Sequence, residues 1–394
     1  MKKLICFILS AVFLVAFNIQ ALAVGSNPKN TEATSLDGLS FEVNAKSAVL
    51  MEANTGKILF KQNEDVKSSP ASVTKIMTLL LVAEAISEGK IEKDDAVVIS
   101  EHAASMGGSQ VFLEEGERMT VEELVKCAVI ASANDAAVAL AEHVGGSEKI
   151  FVSMMNKRAE ELGMENTSFE NATGLDDSTQ NHVTSAEDIA IMSRELIKYE
   201  LIKKYSSLWQ DTIRNGEFTL TNTNRLVRYY DGCNGLKTGS TDKAGYCISA
   251  TAERGGMQLI AVIMGAETRD IRNAQAKAML DFGFSNYALY SQEEKALEML
   301  DVLYGTKESI RLYSSPFCTV VPKGSIKSVE LFYEIPESVT APINANDVVG
   351  RVTYKIGDEV LGTSDIYVCE EIGKITFFEV FARILKTLII GNSE

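Results

Sequence analysis

From Val73 to Ile86, in "VTKIMTLLLVAEAI", apolar residues occupy nearly every face of a helix. A helix that is apolar all round has no side to give to water, so this one must be enclosed by other elements. The chain is thereby committed to a domain large enough to surround a central helix. With 394 residues there is room for two domains of roughly 100–200 residues each. An apolar fraction of 46% beside 23% charged residues supplies a core and excludes wholesale disorder.

Upstream, "AVLMEANTGKILFKQ" reads as two strands joined by a turn at Asn54 to Gly56. Downstream, "TVEELVKCAVIASAND" opens on a capping box, Thr120 with Glu123, and predicts a helix ending near Ser132. Further helices are expected at about 135–144, 147–162 and 184–197, the last starting from a second box, Thr184 with Glu187. From about Phe218 the period falls toward two, and "FTLTN", "GYCISATAE" and "MQLIAVIMGA" read as strands, the last two joined by Arg254-Gly255-Gly256. A helix over about 269–283 closes the unit. Strands at both ends of a helical middle predict an α+β domain whose antiparallel sheet, flanked by helices, unites the chain's two ends.

Past Tyr290 the text turns to short β-like runs, "SIRLYSS", "TVVPKG", "SIKSVELFYEI" and "VVGRVTYKIG", which predict a small all-β domain without a catalytic cluster. The expected division is 41–288 for the first domain, 289–371 for the β-rich one and 372–394 for a C-terminal amphipathic helix. In that tail Phe377, Phe381, Ile384 and Leu388 align at helical spacing, with Glu379, Arg383 and Lys386 on another side. The run is too short and too charged to span a bilayer, which takes about 20 apolar residues. It suits a helix lying in a membrane interface, or one docked on its own protein or a second copy.

The first 23 residues have Lys2 and Lys3, an apolar run and Ala21-Leu22-Ala23, the layout of a secretory signal peptide, with an uncleaved anchor as the alternative. A polar spacer over 24–40 follows. Export removes two lysines and no acid, which deepens the net charge from −16 to −18. So acidic a chain is not a nucleic-acid binder, because neutralising phosphates takes clustered Lys and Arg. Beyond the leader, Cys127, Cys233, Cys247, Cys318 and Cys369 are scattered and odd in number; at most one or two bridges are expected, and no spacing suggests a metal site. Only His102, His143 and His182 are available to a mechanism that needs a histidine base.

Three short motifs carry the chemistry: Ser72-Val-Thr-Lys75, Ser132-Ala-Asn134 and Lys237-Thr238-Gly239. Each alone is a common coincidence. Residues three apart share a helix face, so Lys75 can reach the Ser72 hydroxyl. A crowded, desolvated Lys75 has a lowered pKa, and its neutral amine can then take the serine proton, replacing the missing histidine. A helix start also offers unpaired N–H groups and a positive dipole end to an oxyanion on the attacked carbonyl. Lys237 supplies fixed charge, Thr238 a hydroxyl for a terminal carboxylate, and Gly239 room for a substrate along the strand edge.

Together, in this order, the motifs resemble the signature of penicillin-binding proteins and serine β-lactamases. Within that group, "SSPASVTKIMT", "ASANDAAVALAE" and "NGLKTGSTDKAGYCISATA" are similar to the D-alanyl-D-alanine carboxypeptidases, the low-molecular-mass penicillin-binding proteins, over about 43–370. The resemblance implies a transpeptidase-like domain, then the β domain and amphipathic tail. It implies an exported serine peptidase that removes the terminal D-alanine from peptidoglycan stem pentapeptides through an acyl-enzyme on Ser72, that β-lactams acylate, and that uses no cofactor. It gives Ser132 the proton relay to the leaving amine, Asn134 a bond to the substrate amide, the Ser240 N–H the second oxyanion contact, and Arg272 a hold on the carboxylate. His182, just before a helix, is structural in the family. Thr223 and Ser240 depart from relatives that carry arginine and histidine there, which bears on substrate preference. A class A-like β-lactamase fits less well, since no acidic residue stands in the context of that family's deacylating glutamate. A non-catalytic wall-binding protein of the same fold is the remaining alternative.

Overall fold

The computed structural model describes residues 34–35, 42–176 and 179–390, with backbone alone at 34–35 and 386–390. The expected leader over 1–23 lies outside the described residues, as does the spacer apart from Thr34–Ser35. The central helix runs Lys75–Ser87 and is entered through a tight 3-10 turn, Ala71–Thr74. Every residue from Lys75 to Ala83 is buried, as an all-apolar helix requires. Its walls are the helices Asn134–Gly145, Glu148–Glu161 and Ala186–Leu196 and one face of the main sheet.

That sheet has six antiparallel strands in the order Thr34–Ser35, Ile58–Gln62, Ser47–Glu52, Met257–Ala266, Gly245–Arg254 and Cys233–Thr241. Pairing of Ser47–Glu52 with Met257–Ala266 unites the two ends of the domain, as expected. Met257–Ala266 lies mid-sheet and is covered on both faces, which is why its sequence is continuously apolar. Val49, Met51, Ile260 and Val262 point to the central helix. Their neighbours Leu50, Leu259 and Ile263 pack with Ala276, Met279 and Leu280 of the outer helix Arg269–Asn286.

Several local expectations need correction. The Thr120–Glu123 capping box forms, but the second box does not: Ser185 caps the helix by accepting from the Asp188 N–H. Thr184 lies one residue too early, held in a bridge to Ser68 and bonded to Thr167. Phe218–Thr221 is a strand, yet it pairs with Gln210–Ile213 in a separate ribbon and takes no part in the main sheet. The helix begun at Val121 widens into a π turn over Cys127–Ala131 and stops at Ser132, whose φ of 61° and ψ of 28° are left-handed. All five described cysteines are free, which is compatible with the expectation of at most one or two bridges.

The chain leaves the outer helix through Tyr287–Gln292, which pairs with Phe317–Pro322. Beyond lies a second six-stranded sheet, in the order Glu330–Glu334, Val348–Ile356, Glu359–Val368, Ser309–Ser314, Lys295–Leu303 and Ser338–Thr340, around Leu300, Leu312, Val352 and Ile366. Helix Phe377–Ile390 follows this sheet; Phe377 is 78% and Phe381 56% exposed. The side chains of Lys386 and Leu388 lie outside the described residues. Among the described residues no helix is long and apolar enough to cross a membrane.

Candidate active site

The site forms where the 3-10 turn meets the edge strand Cys233–Thr241. Ala71 takes a φ of 48°, an uncommon value for a residue with a Cβ, and the chain turns there so that Ser72 emerges half-buried. The strand passes so close that a Cβ on Gly239 would lie 2.8 Å from the Ser72 nitrogen and 2.9 Å from the Pro70 carbonyl oxygen. Glycine is therefore a packing requirement at this position. Ser240 follows on the exposed side.

Lys75 is fully buried and donates to Ser72 Oγ at 3.1 Å, to Asn134 Oδ1 at 2.5 Å and to the Thr173 carbonyl at 2.8 Å. Burial, followed by the charge of Lys237, holds its amine well below the usual lysine range; Asp135 opposes this. None of its bonded partners is a carboxylate, so no anion in contact with it fixes the proton. Asn134 opens its helix and is braced in turn, its Nδ2 donating to the Gly107 carbonyl at 2.7 Å. Next to it the buried Asp135 accepts the Val111 and Leu113 N–H groups and ties down the loop over the site.

Lys237, also buried, donates to Ser132 Oγ at 2.7 Å and to the Thr238 carbonyl at 3.0 Å. Burial first, and then the charge of Arg272, lowers it to about 7. Thr238 donates its hydroxyl to Thr223 Oγ1 at 2.8 Å. Arg272 is 3% exposed and bonds Asn273 Oδ1 and, more weakly, the Cys247 carbonyl. Among the described residues its bonded partners include no carboxylate, and burial lowers it to about 10. A buried guanidinium without an anion beside the Lys-Thr-Gly strand is suited to a ligand carboxylate.

Of the nine residues selected from the sequence, Ser72, Lys75 and Asn134 form one bonded group and Ser132 and Lys237 another, with Gly239 packed on the Ser72 turn and the Arg272 charge acting on Lys237. His182 is buried at their back. Its Nδ1 accepts the Glu170 N–H at 2.9 Å, which leaves Nε2–H to donate to Thr74 Oγ1 at 2.7 Å. Both nitrogens are used inside the fold, and burial lowers the ring to about 4.

Sequence reasoning missed the segment 171–176. Asn171 Oδ1 accepts the Thr173 and Gly174 N–H groups and bends the chain, which turns the Thr173 carbonyl onto Lys75. Gly174, at a φ of 82°, crosses the nucleophile turn so tightly that a Cβ would lie 1.8 Å from the Ala71 oxygen. Asp176 accepts from Thr241 at 2.6 Å and from Ser69 at 3.5 Å, bridging the edge strand to the turn. The available signal was the turn chemistry of "NATG", which reads as any loop does.

Comparison with known proteins places the chain in a family. A family model described as D-alanyl-D-alanine carboxypeptidase matches residues 30–268, and one described as penicillin-binding protein 5, C-terminal domain, matches 284–374. The chain is 43% identical over 390 residues to D-alanyl-D-alanine carboxypeptidase DacF of Bacillus subtilis, covering 97% of this chain and 98% of that protein. It is similar in structure to penicillin binding protein 5 from Haemophilus influenzae, with a TM-score of 0.76 and 33% identity over 85% of this chain and 99% of that one. Penicillin-binding protein D2 from Listeria monocytogenes, solved in its ampicillin-bound form, matches at a TM-score of 0.57 and 30% identity, over 62% of this chain and 99% of that one.

Proposed function

Because the chain belongs to the D-alanyl-D-alanine carboxypeptidase family, we propose that it trims the terminal D-alanine from peptidoglycan stem pentapeptides with Ser72 as nucleophile and Lys75 as base. The observation that carries this reading is the buried Lys75, 3.1 Å from Ser72 Oγ and held toward its neutral form. Its amine takes the proton as Ser72 Oγ attacks the penultimate carbonyl, and the tetrahedral oxyanion is held by the N–H groups of Ser72 and Ser240. The carbon–nitrogen bond breaks, D-alanine leaves with a proton relayed through Ser132, and water hydrolyses the ester. Thr238, Lys237 and Arg272 hold the substrate's terminal carboxylate, which supplies the anion that Arg272 lacks. Asn134 aligns the substrate amide while bracing Lys75. All these groups are side chains or backbone of this chain, and no step calls for a metal or organic cofactor.

β-Lactams fit the same site through their strained amide and carboxylate. Slow release of the acyl group is expected, because Ser72 and Lys75 have no carboxylate among their bonded partners to activate water. In this proposal catalysis belongs to 41–288, a small β unit spans 289–371, and residues 372–394 attach the exported protein to the outer face of the membrane. The exposed Phe377, Phe378, Phe381 and Ile384 support that attachment. Deleting 372–394 should abolish co-sedimentation with anionic vesicles and spare activity; retained sedimentation rejects the attachment.

Mass spectrometry of a pentapeptide incubated with the protein tests the activity. Loss of one alanine supports carboxypeptidase action, whereas dimeric peptides would move the assignment to transpeptidation. Fast, repeated hydrolysis of a chromogenic β-lactam would favour a β-lactamase.

A further inference from the structure

The sheet of the C-terminal unit is open at one place. Its end strands are Glu330–Glu334 and Ser338–Thr340, and the latter covers only Asp301–Leu303 of the strand Lys295–Leu303. Among the described residues, 295–300 therefore pairs on one side alone, with Ser309–Ser314. Glu330–Glu334 likewise has a single partner strand, Val348–Ile356. The two bare edges border one hollow of about 750 Å³, lined among others by Lys295, Leu297, Met299, Arg311, Tyr333 and Ile335. That volume lies within the range of about 300–1,000 Å³ common for ligand pockets.

The side chains around the hollow are placed unusually for a sheet edge. Tyr333 is two residues from Leu331 and so on the same face, and Leu331 packs on the core. Yet Tyr333 is 43% exposed beside the empty strand position. Met299 precedes the core residue Leu300, so it points to the opposite face, where it is 50% exposed. A register shift between Ala296 and Met299 inserts a bulge that bends this edge away from its partner. The charges of Glu330 and Glu334 and the bulge are devices that keep an edge from pairing indiscriminately. They leave room for a selective guest.

We infer that this hollow is a docking site for an extended peptide of a partner protein, which adds a strand between the edges 295–300 and 330–334. Among the described residues each wall has a strand partner on one side alone, and its outward backbone N–H and C=O groups call for a ligand that is itself a backbone; a sugar chain would leave them unmatched. The guest presents apolar side chains at alternate positions to Tyr333 and Ile335, and the side chains between them face the Met299 side. It also carries an acidic residue on the side of Lys295 and Arg311, which outnumber Glu298 among the lining groups, and away from Glu330 and Glu334 on the facing edge.

The test is selection from a displayed library of nine-residue peptides on the full mature chain, followed by binding and amide-exchange measurements with the enriched peptide. Enrichment of alternating apolar sequences with an acid, exchange protection at 295–300 and 330–334, and a tenfold or greater loss of affinity on alternate N-methylation of the peptide are expected. The double variant Lys295→Glu with Arg311→Glu should weaken binding at least tenfold, and unchanged penicillin labelling of Ser72 will show that it is folded. Tyr333→Ala provides a second, uncharged variant with the same expected direction. The proposal is overturned if no peptide is enriched, if binding is indifferent to N-methylation or to both variants, or if glycan fragments and not peptides protect these amides.

Discussion

Lys237 holds Ser132 by a 2.7 Å bond across 105 residues of chain, in the same buried space where Lys75 holds Ser72. Each lysine lowers or is lowered by a neighbouring cation, so the site stores positive charge that a substrate carboxylate can neutralise. The two serines should then differ in what their loss does. Ser72→Ala is expected to abolish labelling by fluorescent penicillin. Ser132→Ala should still bind substrate but lower kcat by about 10²–10⁴, the usual worth of a positioned proton donor. A Ser132→Ala protein with raised KM and unchanged kcat would assign this serine to binding.

Gly239→Ala tests the packing of strand on turn. The added methyl meets the backbone of Pro70, Ser72 and Val73, which cannot rotate aside as a side chain could. We expect destabilisation of about 1–3 kcal/mol in urea unfolding, with acylation slowed by about 10²-fold through displacement of Ser72. Wild-type acylation kinetics would show that the strand can retreat without moving the nucleophile.

Why some of this was legible and some not has a physical basis. The enclosed helix, the paired strand ends and the three motifs are visible because burial on all sides and covalent spacing leave marks in short stretches. Lys295–Leu303 went unread because "KALEMLDVL" is built from good helix formers, and pairing with Ser309–Ser314 overrides that preference. The Thr173 carbonyl left no mark at all, since any residue carries a carbonyl and its aim is set by Asn171 and Gly174. Arg272 could be named only through resemblance; its lack of an anionic partner is a property of the packed molecule.

The pH dependence of kcat/KM follows from the two lysines. Lys75 must be neutral to accept a proton, so activity rises with pH through its lowered pKa. Lys237 serves the carboxylate while charged, and it loses that charge above about 7 in the free protein. The profile should be bell-shaped, because kcat/KM reports the free enzyme. Lys237→Arg keeps the charge at all working pH values, so its alkaline limb should move up by more than one unit even where its maximum falls. An unmoved limb would mean that another group sets it.

His182 gives the last prediction, on stability. Its ring is lowered to about 4 by burial, from an ordinary value of 6.5, and it is neutral in the fold with Nε2–H on Thr74. Between these values the unfolded chain binds the proton and the folded one does not, so stability rises with pH across this window and falls as acid is added. A displacement of this size corresponds to roughly 3 kcal/mol between pH 7 and pH 4. His182→Asn removes the titration and the bond to Thr74 together. The variant should be less stable than the parent at pH 7, yet the gap should narrow by roughly 3 kcal/mol when urea unfolding is repeated near pH 4. A gap that stays constant across that range would show that the ring titrates in the fold as it does in the unfolded chain, and that burial does not hold it neutral.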